Sequence, residues 1–131
     1  MSTPLSGTDR LANEVHPRVF ALEGARLSAV EFVGGSSKTA LLRFDQGRLE
    51  ILGRSALRVG GRSLASGEKA WGDGLMARVG ARVVDVVVDP ARRLEVHFDD
   101  GSCLVVLLDA DPRTGPDSAA FFDEKWNYEA Y

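Results

Sequence analysis

Residues 94–103 read LEVHFDDGSC, and residues 40–49 read ALLRFDQGRL. In the later stretch Leu94, Val96 and Phe98 alternate with Glu95 and His97, and in the earlier one Ala40, Leu42 and Phe44 keep the same spacing. A period of two sends successive side chains to opposite faces, so each stretch is a strand with one buried face. In the later copy the Glu95 and His97 face is the wet one. Asp99-Asp100-Gly101 then joins a residue tolerant of positive φ to one that favours it, which is the chemistry of a tight hairpin turn. Asp45-Gln46-Gly47 is its weaker copy. A second strand follows each turn, RLEIL at 48–52 and SCLVVLL at 102–108, the latter without a polar alternate and so expected to be buried on both faces.

The likeness extends upstream, where GARLSAV at 24–30 matches GARVVDV at 80–86. Gly24 lies twenty residues before Phe44 and Gly80 eighteen before Phe98, the difference falling where GGSSK is replaced by the turn DPARR. One strand-hairpin unit is therefore used twice, over residues 22–59 and 78–108. The stretch between them, GRSLASGEKAWGDGLM at 61–76, is rich in Gly and polar residues and reads as a connection, because neither unit is large enough to bury a core alone.

The expected fold is mainly β: an antiparallel sandwich or partly open barrel of about six to eight strands, built from the two similar units around a shared core. Little helix is expected. Residues 1–18, with Pro4, Gly7 and Pro17, read as a flexible N-terminal arm with at most a helical turn at 10–15, and residues 19–131 as a single β-rich domain. A second short helix is expected over 117–125, where Asp117 or Ser118 can cap DSAAFFDEKW.

The chain of 131 residues is 44% apolar and 27% charged, the balance of a globular domain able to fold without covalent staples. No apolar run approaches the roughly 20 residues of a membrane span, so no membrane association is expected. The start carries Asp9 and Glu14 and no apolar signal core, which points to a cytoplasmic protein. A single cysteine, Cys103, excludes an internal disulfide and a cysteine-cluster metal site. The net charge of −3 argues against nucleic acid as a partner. It is unevenly spread: in residues 109–131 the acids Asp109, Asp111, Asp117, Asp123, Glu124 and Glu129 outnumber Arg113 and Lys125 by four, leaving a near-neutral body with an acidic tail.

Catalytic constellations are absent from the pattern. His16 precedes Pro17 in the arm, and His97 stands on the polar side of a strand with no oriented partner at a diagnostic spacing. Cys103 enters an apolar strand, where cysteine serves as a small buried hydrophobe rather than a nucleophile. Asp99 and Asp100 are explained by their turn. Ser36, Ser37 and Ser66 lack a nucleophile elbow, and VGGSSK at 33–38 lacks phosphate-loop spacing. No enzyme activity, cofactor or metal is expected.

Recognition fits better. In FFDEKWNYEAY at 121–131, aromatic rings are interleaved with acids; Tyr and Trp bury area at low entropic cost, and the charges steer a basic partner. The expected partner-binding residues are Asp117, Asp123, Glu124, Trp126, Tyr128, Glu129 and Tyr131, with Trp71 a further candidate for an exposed aromatic.

Phe98-Asp99-Asp100-Gly101, the preceding Gly80, Val83 and Val86, and Tyr128-Glu129-Ala130-Tyr131 together resemble a family of small bacterial β-rich proteins with an internally duplicated strand unit. The likeness covers residues 22–131 and departs at Tyr131, where that family carries Trp. It implies a β-rich fold and a bacterial source, and by analogy with small acidic bacterial proteins, an immunity protein. The expected function is thus non-enzymatic protein binding, neutralising a toxin with a basic domain by occlusion. The alternative is a structural or regulatory β module that self-associates through a strand edge.

Overall fold

The computed structural model describes residues 5–6, 18–32, 39–89, 92–108, 119–123 and 128–130. The first sequence unit forms a meander of β2 (Leu27–Phe32), β3 (Ala40–Phe44) and β4 (Gly47–Ile51), and the second forms its counterpart in β7 (Val83–Asp89), β8 (Arg93–Phe98) and β9 (Cys103–Leu107). Each meander belongs to a different sheet. The hairpin that follows each meander then crosses to the other one: β5 (Ser55–Val59) and β6 (Arg62–Ala65) add beside β9, whereas β10 (Ala119–Asp123) and β11 (Tyr128–Ala130) add beside β4. With β1 (Leu5–Ser6) on the β7 edge, the sheets run β1-β7-β8-β9-β5-β6 and β11-β10-β4-β3-β2. Every pairing is antiparallel, and the two open sheets form a sandwich.

The units meet about a pseudo-two-fold. Arg26 and Arg82 form an isolated antiparallel bridge, flanked by hydrogen bonds from Gly24 N to Val83 O and from Gly80 N to Leu27 O, both 2.8 Å. Leu27 N donates to Ala81 O and Val83 N to Ala25 O, so the two Gly-Ala-Arg segments exchange the same bonds. The duplicated aspartates secure this crossing. Asp45 Oδ1 accepts from Arg26 N at 3.1 Å and Asp99 Oδ1 from Arg82 N at 3.2 Å, while each aspartate N–H donates back to the same arginine's carbonyl.

The inward positions of the alternation close the core: Leu42, Leu49, Leu57, Leu94, Val96, Leu104, Phe98 and Phe121 are all buried. A 3-10 helix at Arg18–Leu22 packs on β4, β7 and β10 with Val19 and Leu22 inward. Among the described residues no helix is long and apolar enough to cross a membrane.

Three expectations change. The described residues hold eleven strands rather than six to eight, because the crossing hairpins and the β1 edge add to the meanders. The Gly-rich connection contains an α-helix, α1 (Lys69–Met76), whose Trp71 and Leu75 are fully buried; Trp71 is a core residue, its ring edge-on to Phe32. Two glycines that weaken the helix intrinsically also let it approach the sheet, since a Cβ on Gly74 would stand 2.8 Å from Leu57 Cδ2. The third change is at residues 119–123, which are β10 and not helix: an apolar run this short does not distinguish the two, and pairing with β4 decides it. Of the arm, Leu5–Ser6 pairs with Val87 and Val88, and residues 7–17 lie outside the described residues.

Candidate functional site

Of the seven expected partner-binding residues, Asp117, Glu124, Trp126 and Tyr131 lie outside the described residues. For Tyr128 and Glu129 the backbone register is fixed, opposite Phe122 and Phe121. Asp123 is half-buried opposite Gly47. The start of the segment is core, with Ala119 and Phe121 fully buried. Phe122 lies half-buried on the outer face beneath the Arg48 guanidinium, 4.6 Å from carbon to ring centroid, at van der Waals and cation–π range. Arg48, Phe122 and Asp123 wall a cleft of about 390 Å³ together with Ser28, Arg43 and Asp45. Asp123 thus shares its cleft with Arg43 and Arg48 as well as with Asp45.

A second cluster lies on the outer face of the other sheet. Strand periodicity puts Arg93, Glu95 and His97 on one side of β8, and hairpin register sets Cys103 opposite His97 and Arg58 opposite Cys103. His97 Nε2 is 2.9 Å from Glu95 Oε1 and 3.7 Å from Cys103 Sγ. Glu95 Oε2 accepts from Arg93 Nε. Burial works to raise the Glu95 carboxyl, but hydrogen bonds from Arg93 and His97 overcome it and hold the group below the usual carboxylate range. The Cys103 thiol is pushed up to about 11, by burial first and then by the Glu95 carboxylate, against the opposing pull of Arg58 and Arg93.

His97 therefore has the neighbours that spacing did not reveal. A signal was present, since Glu95 stands two residues away on the same face and Cys103 follows the same turn. Cys103 is buried as expected, but beside an imidazole and a carboxylate rather than in a purely apolar setting. Beyond it, Arg58, Ala56, Val105 and Leu107 line a cleft of about 370 Å³ with Ser55 and Ser66. The buried Ser55 Oγ has no hydrogen-bond partner among the described residues.

Comparison with family models, with curated proteins and with solved structures finds no match for this chain.

Proposed function

We propose that the chain is a non-enzymatic, protein-binding protein of the bacterial cytoplasm, an immunity protein that neutralises a toxin by occluding it. The reading rests on one observation above others: Arg48 stacked over Phe122 at 4.6 Å, at the wall of the cleft that also contains Arg43, Asp45 and Asp123. Arginine and aromatic side chains dominate the energetics of protein interfaces, because each combines a large contact area with a directional polar or ring contact. Opposite charges beside them fix the register of a partner more than they add affinity. Residues 109–131, which include this strand, carry an excess of four acids, and that favours a partner with a basic surface.

Affinity capture from the source cell's lysate, washed first at low and then at high salt, checks the reading. The expected result is one partner released by salt, toxic when expressed alone, whose toxicity the chain suppresses and whose binding Phe122→Ala weakens at least tenfold. A partner bound equally well by Phe122→Ala, Arg48→Ala and Asp123→Lys variants overturns the assignment to this cleft. Recovery of the bait alone, with concentration-dependent sedimentation, replaces it with self-association through a strand edge.

A further inference from the structure

We infer that the outer face of the six-stranded sheet holds a site for a zinc-class divalent cation, bound by the Glu95 carboxylate, the His97 imidazole and the Cys103 thiolate, with a fourth position open to solvent. The inference is independent of the protein-binding reading, which concerns the opposite sheet.

The geometry of the donors carries it. Glu95, His97 and Cys103 each offer one ligating atom, and all three atoms lie within 4.8 Å of one another. Around a tetrahedral zinc with bonds of about 2.0–2.3 Å, neighbouring donors stand roughly 3.3–3.6 Å apart. The two spacings to His97 Nε2, 2.9 Å and 3.7 Å, bracket that range, and Glu95 and Cys103 lie within 4.8 Å of each other, so seating an ion asks these two side chains to close on it by up to about an ångström.

A nucleophilic relay is the competing chemistry for a cysteine, a histidine and a glutamate, and the contacts argue against it. In a relay the acid orients one ring nitrogen while the other faces the nucleophile. Here both Glu95 and Cys103 approach Nε2. With both groups on one nitrogen there is no path for handing a proton across the ring, while the three donor atoms stay together on one side of it.

The outer partners fit as well. Arg93 holds the second oxygen of Glu95, which fixes the plane of the carboxylate and leaves Oε1 turned toward His97, where an ion would replace the hydrogen bond between them. The His97 side chain is 37% exposed and that of Glu95 16%, so an ion reaches the site from solvent, and water or an external donor completes the shell. A thiolate and an imidazole select zinc and its neighbours over magnesium and calcium, which prefer oxygen alone. Binding breaks the Cys103 S–H bond, forms the metal–sulfur bond and releases one proton to solvent.

The internal duplication supplies a control. By register, the positions equivalent to Glu95, His97 and Cys103 in the first unit are Leu41, Arg43 and Arg48: Leu42 faces Leu49 as Val96 faces Leu104, and Arg43 faces Arg48 as His97 faces Cys103. The same fold is built there without a single donor of this kind. Packing alone does not call for this trio.

Zinc titration of tag-free, chelator-stripped protein by calorimetry, with cobalt substitution followed by absorption, decides the matter. The expected result is one ion per chain, about one proton released per ion, a thiolate-to-cobalt charge-transfer band, and affinity at least about 100-fold weaker in Cys103→Ser. Zinc should also protect Cys103 from alkylation. Absence of binding at micromolar zinc overturns the inference, as does equal affinity in Cys103→Ser, His97→Gln and Glu95→Gln, which would put the ion elsewhere on the chain. If Cys103→Ser loses its fold by circular dichroism, the more exposed His97→Gln and Glu95→Gln variants give the comparison, each expected to bind at least tenfold more weakly.

Discussion

Arg26 and Arg82 face each other across the pseudo-two-fold, and each backbone N–H is held by the aspartate that ends its own unit's Phe-Asp pair, Asp45 and Asp99. The duplicated aspartate is thus a clasp. It ties a hairpin turn to the strand where the two sheets cross. Asp45→Ala or Asp99→Ala should each cost about 1–2 kcal/mol, the range for a lost hydrogen bond to a charged acceptor near the surface. Asn, which keeps an acceptor oxygen, should cost less. Because both clasps secure one crossing, the double alanine variant should depart from additivity by about 0.5 kcal/mol or more in urea unfolding.

Gly47 and Gly101 occupy the same place in the repeated motif but answer to different constraints. Gly47 has φ of 150°, and a Cβ there would lie 2.5 Å from Phe122 O and 2.9 Å from Phe121 Cε2. Gly101 has φ of 87° with nothing within 4 Å. Gly101→Ala should therefore cost only the backbone strain, about 1 kcal/mol, whereas Gly47→Ala adds overpacking and should cost about 2–4 kcal/mol. Thermal unfolding of the pair separates them. Equal losses would mean that β10 moves aside readily.

Much of this architecture was legible because the period of two and the Phe-Asp-x-Gly repeat are local signals. Leu94, Val96 and Phe98 announce their buried face without knowledge of any partner strand. The exchange of hairpins between units was not legible, since β5 beside β9 and β10 beside β4 are pairings between distant segments that no local pattern encodes. The Glu95, His97 and Cys103 cluster hung on one residue of loop length. The first turn has two loop residues, Asp45 and Gln46, between the paired Phe44 and Gly47; the second has three, Asp99 to Gly101, with Phe98 N bonding Ser102 O. A two-residue loop in the second unit would have sent Cys103 to the opposite face from His97.

Gly74 sets two small effects against each other. Replacing a helical glycine by alanine usually gains about 1 kcal/mol from backbone entropy. The new Cβ would meet Leu57 Cδ2 at 2.8 Å and Leu64 Cδ1 at 3.1 Å, and forcing a methyl into a packed interface costs about 1–3 kcal/mol. The clash should prevail, giving a net loss of about 1 kcal/mol. For Gly72, whose Cβ would sit 3.4 Å from Phe32 Cζ, the helix term should prevail instead and alanine should be neutral or stabilising. The urea midpoint of Gly74→Ala should therefore fall, while that of Gly72→Ala should hold or rise.

The Cys103 thiol gives the metal-free protein an alkaline dependence of its own. Its ordinary value is 9.0 and the fold pushes it up to about 11, with Glu95 and His97 from β8 and Arg58 from β5 around it. A raised value means that the folded chain keeps the proton longer than the unfolded one. Below pH 9 both states are protonated and the contribution is present in full; between 9 and 11 the unfolded chain ionises first and stability falls, levelling once the folded thiol ionises too. The loss should be on the order of 1 kcal/mol after solvent screening. Denaturant titrations of wild type and Cys103→Ser below pH 9 and near pH 11 isolate it, because other groups titrate alike in both proteins. The wild type should lose the extra increment and the serine variant should not; parallel losses would show that burial at this position does not hold the proton.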